Sequence, residues 1–526
     1  MEAVGGCDKV LGVIYNRRDF LRTAGLGAAA FALPGAGAPR PNIIWIMADD
    51  LGYGDLSCLN EKSKIRTPNL DRMASEGLTF TDAHAPSAVC TPTRYGVMTG
   101  RYCFRSSLKN GVLGGGSSHL IHPGRMTVPS LMKAHGYATA GFGKWHLGLD
   151  WVTKDGKEVQ PDMSNVDFTK PFGNGPGTLG FDYYFGISAS LDMPPYTYLE
   201  NDRATELPNA VSEGKPFPVN WRKGPIAPGF KHQEVLSRIT EKAVGWIDNW
   251  SKDKSKPFFL YIPFTAPHTP VVPRDRFKDI TGVGSYGAFV AEVDWSARQI
   301  LDAVKRAGVD ENTLVIMTSD NGPERQMEER KVEFQHFSAY HFRGHKRDVW
   351  DGGHRIPFIA RWPGHIKAGT KTDQLICLTD LMATCAAIVG AKLPPNAGED
   401  SYNILPALLG EKRKPIREAV IHHSSWGSFA IRQGEWKLLL VRGVGDGPPS
   451  KDTSLPPGQL YNIVEDYGET NNLYDKRPEI VKRLTALLDK YLAEGRSTPG
   501  PRVEPLPEER DGTRGPKNRG GVEEIG

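Results

Sequence analysis

The sequence predicts an α/β protein: a large sheet flanked by helices, followed by a smaller antiparallel sheet with one packed helix. Three observations predict it. Apolar runs of strand length alternate with amphipathic helical stretches up to about Pro406. Beyond Pro406 the texture changes to short alternating strands separated by turn residues. Acidic, amide and histidine side chains also stand just past the ends of the apolar runs, where open α/β sheets bind their ligands.

The elements follow in order. Asn42-Ile43-Ile44-Trp45-Ile46-Met47-Ala48 is an unbroken apolar run, the pattern of a parallel strand buried on both faces, and it ends in Asp49-Asp50-Leu51-Gly52. Thr67-Pro68-Asn69 opens a short helix reaching about Glu76, with proline in the first turn where its missing N–H costs nothing. A strand over 78–81 leads to the segment around Cys90. A helix over 128–135 and a strand over 137–142 follow. Residues 150–230 are rich in glycine, proline and aromatics with little periodicity, and read as long loops around a pocket. Next come a helix over 233–250, a strand over 257–264 leading to Thr265-Ala266-Pro267-His268, a helix over 288–307, and a strand over 313–319 ending in Asp320-Asn321-Gly322. After Pro406, strands at 419–423, 428–432 and 436–441 surround a Gln433-Gly434 turn, and a helix covers 478–494. The expected organisation is a leader over 1–38, an α/β domain over 39–405, an α+β subdomain over 406–497 and a disordered tail over 498–526.

Composition sets the bounds. A chain of 526 residues is too long for one simple core. With 39% hydrophobic and 24% charged residues it reads as soluble and globular, and its 58 glycines and 40 prolines imply many ordered loops. A net charge of +4 is too mild to argue for nucleic acid, and no recognition signature for DNA or RNA is present. Six cysteines in so long a chain are not a disulfide scaffold, and no zinc-ligand spacing appears. Cys377 and Cys385 read as buried thiols. The leader segment Asn16-Arg17-Arg18-Asp19-Phe20-Leu21-Arg22 resembles a twin-arginine export signal. A weakly apolar run follows, too short to span a bilayer, and then the small-residue cleavage site Ala36-Gly37-Ala38. That resemblance implies export by the twin-arginine machinery, already folded, to the periplasm or beyond. An uncleaved anchor is the alternative.

The chemistry lies in a few clusters. Asp49, Asp50, Asp320 and Asn321 come from two strand ends far apart in sequence. Carboxylates held that close repel unless a hard divalent cation joins them, and an all-oxygen set suits Ca²⁺ or Mg²⁺. Lys144 and His146 stand two apart in Gly143-Lys144-Trp145-His146-Leu147-Gly148 and share one side of an extended backbone. His268 is fixed between two prolines. Lys346 lies in Arg343-Gly344-His345-Lys346, just ahead of Asp351-Gly352-Gly353-His354-Arg355-Ile356-Pro357.

Cys90 opens the stretch Cys90-Thr91-Pro92-Thr93-Arg94-Tyr95-Gly96-Val97-Met98-Thr99-Gly100-Arg101. This stretch resembles the signature of the type I sulfatases, in which the cysteine of Cys-x-Pro-x-Arg is oxidised to formylglycine (3-oxoalanine). The similarity runs from about Asn42 to Pro363 and weakens in the C-terminal part. It implies an alkaline-phosphatase-like fold and hydrolysis of sulfate monoesters, a carbohydrate sulfate first among them. It also implies one cation, usually Ca²⁺, bound by Asp49, Asp50, Asp320 and Asn321 and touching residue 90, and a formylglycine-generating enzyme acting before export. By resemblance, Arg94 holds the formylglycine hydrate, while Lys144 and Lys346 bind sulfate oxygens. Asp320 helps deprotonate the attacking hydroxyl, His268 serves the leaving alcohol, and His146 takes the proton of the second hydroxyl. Asp192, Tyr196 and Tyr198 are candidates to line a sugar site. Three departures stand out: Thr93 where Ser or Ala is commoner, Asp351 for the usual Glu, where a structural role is expected, and His345 before the lysine. Two other readings stay open: a phosphodiesterase or phosphonate monoester hydrolase of the same superfamily, and a non-catalytic sulfated-glycan-binding protein with Cys90 unconverted.

Overall fold

In the computed structural model, which describes residues 40–504 apart from 217–218, 279 and 412–413, ten strands form one mixed sheet. The leader expected over 1–38 and residues 505–526 of the expected tail lie outside the described residues. The strands are β1 (Asn42–Asp49), β2 (Leu78–Phe80), β3 (Ala138–Lys144), β4 (Tyr183–Ile187), β5 (Leu199–Glu200), β6 (Arg203–Ala204), β7 (Phe258–Pro267), β8 (Thr313–Ser319), β9 (Phe358–Arg361) and β10 (Thr370–Thr372). Their order is β10-β2-β9-β8-β1-β7-β3-β4-β5-β6. The run β8-β1-β7-β3-β4 is parallel throughout, while β9 and β5 pair antiparallel at its borders.

Every residue of β1, β7 and β8 is buried, as a parallel sheet covered on both faces requires. Alternation along β1 sends Ile43, Trp45 and Met47 into one core and Ile44, Ile46 and Ala48 into the other. The first core is closed by apolar residues of the helices Cys90–Thr99, Val128–Ala134 and Leu381–Val389. The second is closed by the helices Val235–Trp250 and Gly284–Arg306.

One expectation is corrected. Residues 150–230 are not loops alone: they supply β4, inside the parallel run, with β5 and β6 beyond it. The aromatic run Tyr183-Tyr184-Phe185 is broken by Gly186, which hides the pattern. That glycine is needed because Gly143 O lies 1.8 Å from where its Cβ would stand.

The second sheet is antiparallel and follows chain order: β11 (Val420–His423), β12 (Phe429–Gln433), β13 (Trp436–Leu439) and β14 (Gln459–Asn462). The helix Pro478–Glu494 packs on it through Leu484, Leu488 and Tyr491. This sheet is tied to the large one by buried ion pairs. Arg432 grips Asp82 with Nη1 and Nη2 at 2.6 and 2.7 Å, and Lys437 Nζ reaches Asp351 Oδ1 at 2.7 Å. Asp351 thus has the structural part expected of it. The described residues from Pro41 onward belong to one compact unit. Residues 498–504, at the start of the expected tail, are hydrogen-bonded: Thr498 N donates to Glu399 O at 3.2 Å and Val503 N to Glu494 O at 2.9 Å. Cys103, Cys377 and Cys385 are buried free thiols.

Between the two sheets His84, His354 and His422 bring ring nitrogens within 4.8 Å of one another. They do not form a metal site. His354 and His422 stack face to face, centroids 3.6 Å apart and planes 11° apart, so one ion cannot lie in both ring planes. The rings are instead hydrogen-bonded packing: His84 Nε2 meets Asp82 Oδ1 at 2.9 Å, and His422 Nδ1 donates to Ala85 O at 2.9 Å. Burial lowers His84 to about 4 and pushes His354 and His422 well below the ordinary histidine value. The unfolded chain takes up these protons near pH ~6.5, before the folded one does. Stability contributed by neutral burial is therefore complete above that pH and is lost as the pH falls toward 4. The denaturant midpoint is expected to drop steadily between pH 7 and pH 5; a flat midpoint over that range would refute this account.

Candidate active site

Sheet register builds the floor of the site. Asp49 is level with Pro267 on one side of β1, and Ala48 with Ser319 on the other. Asp49-Asp50 therefore sits between His268, just past β7, and Asp320-Asn321, just past β8. Asp320 N donates to Ala48 O at 3.1 Å, and Asp50 N to Asp320 Oδ1 at 3.2 Å. Neighbouring side chains on a strand point to opposite faces. Asp50 escapes that rule by taking φ +65°, a left-handed conformation costing about 1 kcal/mol or more in a non-glycine residue. Both carboxylates then meet lysines: Asp49 Oδ2 accepts from Lys144 Nζ at 2.7 Å and Asp50 Oδ2 from Lys346 Nζ at 2.8 Å.

Cys90 is the first residue of the helix Cys90–Thr99, capped by Val89 in extended conformation. The helix start aims free N–H groups at any anion bound there. Cys90 Sγ lies 3.7 Å from Asp49 Oδ1. One turn on, Arg94 projects from the same face. Its Nη2 reaches Asp320 Oδ2 at 2.7 Å and Asp49 Oδ1 at 3.5 Å, and its Nη1 donates to Lys144 O at 3.1 Å. Three buried cations thus face three buried carboxylates. Burial raises Asp49, but Lys144, His268, Arg94 and Lys346 together hold it well below the carboxylate range. Burial and the neighbouring Asp49 push Asp320 up. Burial also drives the Cys90 thiol up to about 12, against the pull of Lys144 and Lys346.

His146, at φ +56°, places Nε2 2.7 Å from Leu113 O. That contact needs an N–H, so Nδ1, which has no partner, carries the lone pair. Burial keeps the ring neutral, its value well below the ordinary one. His268 Nε2 lies 3.7 Å from Asp50 Oδ2. Asn321 donates through Nδ2 to Asp50 Oδ1 at 2.7 Å, and its buried Oδ1 has no hydrogen-bond partner. A partnerless amide oxygen beside three carboxylates is the donor set of a hard cation, and the residues present fit one. Asp49, Asp50, Cys90 and His268 also offer ligand atoms within 4.8 Å of one another.

The pocket therefore gathers Cys90, Arg94, Lys144, His268, Asp320, Lys346, Asp49, Asp50 and Asn321, with His146 adjoining. Asp192 stands at the edge, its Oδ1 4.0 Å from His268 Nδ1. Tyr196 and Tyr198 do not line it. Tyr196 is buried with its hydroxyl donating to Asp192 O and Arg222 O, and Tyr198 packs between Phe185 and Phe230. His345 turns its Nδ1 to Lys346 O rather than into the pocket. Sequence reading missed Ser190, whose Oγ touches Lys144 Nζ at 3.2 Å and His268 Nδ1 at 3.3 Å. It also missed Glu324, 3.7 Å from Lys346 Nζ. Ser190 follows the unrecognised β4. Glu324 could have been found, since it follows Asp320-Asn321-Gly322-Pro323 directly.

Residues 41–391 match the sulfatase family model. The chain belongs to the sulfatase family. It is 32% identical to an N-acetylgalactosamine-6-O-sulfatase of Bacteroides thetaiotaomicron, across 86% of this chain and 94% of that one. It is also 32% identical to human arylsulfatase A, across 86% and 87%. A solved structure described with the metabolism of multiple glycosaminoglycans by Bacteroides thetaiotaomicron superposes with a TM-score of 0.74 at 32% identity, covering 86% of this chain and 99% of that one. The sulfatase is a sulfuric ester hydrolase, and the Arg94, Lys144 and Lys346 side chains around Cys90 suit the sulfate group it acts on. The alkaline-phosphatase-like fold expected of it is the one observed.

Proposed function

We propose that this sulfatase removes sulfate from a sulfated saccharide, with Cys90 converted to formylglycine and a Ca²⁺ ion held by Asp49, Asp50, Asp320 and Asn321. The observation that carries the reading is Cys90 at a helix start, ringed by Arg94, Lys144 and Lys346 over an oxygen-rich floor. The relatedness to an N-acetylgalactosamine-6-O-sulfatase supports the saccharide. A formylglycine hydrate would supply two hydroxyls on one carbon, one to attack sulfur and one to expel sulfate afterwards. The cation would supply Lewis-acid polarisation of sulfate oxygens. The chain's own residues do the rest. Lys144 and Lys346 donate to sulfate oxygens and offset charge growing in the transition state. Arg94 orients residue 90. Asp320 accepts the proton released on attack. His268, with Lys346 beside it, serves the oxygen of the leaving alcohol. His146 Nδ1, already a lone pair, takes the last proton.

Mass spectrometry of the Cys90 peptide, with sulfate release from defined sulfated saccharides, tests both halves. The expected result is an aldehyde at position 90 and turnover of at least one saccharide. An intact thiol in fully active enzyme refutes the conversion. Turnover confined to non-carbohydrate esters refutes the saccharide. The Arg17-Arg18 leader supports export to the periplasm or medium after a formylglycine-generating enzyme has acted. Arg17→Lys with Arg18→Lys should retain the protein in the cytoplasm, as fractionation would report.

A further inference from the structure

Arg347 follows Lys346 directly and holds φ +84°, a conformation that a side chain rarely adopts. Two backbone bonds impose it: Arg347 N donates to Ala88 O at 2.8 Å, and Ser425 N donates to Arg347 O at 3.1 Å. The guanidinium is clamped by Glu324, Nη1 to Oε1 at 2.6 Å and Nη2 to Oε2 at 3.0 Å. This uses two of its five N–H groups. Its side chain is 41% exposed, yet it stands close enough for Asp50 and Cys90 to act on it electrostatically. An arginine strained at the backbone, rigid at the tip and open beside a catalytic lysine is built to receive something.

The turn that strains it also carries Trp426. Gly111 N donates to Ser425 O at 2.7 Å, and Leu113, two residues on, bonds Thr91 Oγ1 through its N–H and His146 through its carbonyl. Residues 347, 425 and 111 therefore form a continuous rim leading to the Cys90 helix. Asp446 pins the turn, accepting from Ser425 Oγ at 2.6 Å and Trp426 N at 3.1 Å. Trp426 is 48% exposed on this fixed mount. A single exposed indole needs no explanation by itself. Here the indole follows Ser425, whose N–H bonds the carbonyl of the partly exposed Arg347, so this turn offers what a sugar ring with a negative substituent binds: an apolar face and a planar fork of donors.

We infer that Arg347 and Trp426 form a saccharide subsite on the rim, where Trp426 receives a sugar face and Arg347 a second negative group of the substrate. This rests on the saccharide reading above. The group is a carboxylate or a second sulfate, which share the chemistry Arg347 recognises.

Three sulfated disaccharides test it, the second sugar being neutral, carrying a uronate carboxylate, or carrying a second sulfate. Arg347→Ala should cut the ratio of kcat/KM for an anionic over the neutral disaccharide by about tenfold. The arm that falls names the anion. Arg347→Gln, which can still hydrogen-bond Glu324, gives the same reading if the alanine variant fails to fold. Trp426→Ala should raise KM for all three about tenfold, and Trp426→Phe should recover most of that. Ratios and KM values within twofold of the native enzyme overturn the subsite alone. A native enzyme that cleaves an aryl sulfate but none of the disaccharides overturns the saccharide reading and the subsite with it.

Discussion

Cys90→Ala is expected to abolish sulfate release, by about 10⁴-fold or more, in a protein that remains folded. The side chain is buried, but its polar contact to Asp49 Oδ1 is a long one, 3.7 Å. Removing a single sulfur leaves a small void, worth about 1 kcal/mol at a site walled by ion pairs that do not depend on it. The catalytic loss is of another order. The unmodified thiol is itself a poor candidate for the work, because burial drives it up to about 12 and leaves it protonated at neutral pH. Enzyme produced without conversion at position 90 should therefore be as inactive as the alanine variant, with a melting temperature higher by about a degree. Parallel assays of sulfate release and thermal unfolding check both. An alanine variant turning over at more than about one per cent of the native rate would show that the nucleophile lies elsewhere.

Much of this site was legible because its residues sit at the ends of strands that announce themselves. β1, β7 and β8 are apolar from end to end, and Asp49, His268 and Asp320 close or follow them. The grouping of Arg94 with Cys90 followed from the resemblance. What stayed hidden had a different physics. β4 carries a glycine demanded by the backbone of the neighbouring strand, and β9 and β10 are too short for periodicity to speak. Asp50's left-handed turn, which brings two consecutive carboxylates into one pocket, has no signature in Asp-Asp-Leu-Gly. The rim was misjudged for a related reason. Tyr196 and Tyr198 looked like sugar platforms because aromatics in loops often are, but Tyr196 is buried and Tyr198 packs between Phe185 and Phe230. The exposed indole belongs to the second sheet, brought over by a contact between residues 347 and 425 that no local pattern encodes.

Removing divalent cations should be the other large effect: a chelator is expected to abolish turnover, by about 10³-fold or more, while leaving the protein folded. The reason lies in the charge count. Asp49, Asp50 and Asp320 already face Arg94, Lys144 and Lys346 in contacts of 2.7 to 3.5 Å, so the floor does not fly apart without an ion. The lysines that satisfy those carboxylates are the ones proposed above to bind sulfate. On the proposed reading, a bound cation would give the carboxylates another partner and would free both lysines for the substrate. Occupancy at a hundredfold over Kd adds about 2.7 kcal/mol, enough to move Tm by a few degrees in a chain of this size. Ca²⁺ should restore activity and Tm together, and Mg²⁺ less well, since a rigid octahedral ion dehydrates reluctantly. Asn321→Ala separates this from a general salt effect: it removes the amide oxygen that has no protein partner and should abolish the Ca²⁺-dependent Tm shift. Should chelation leave both turnover and Tm where they were, the carboxylates serve only to hold the lysines, and no ion belongs there.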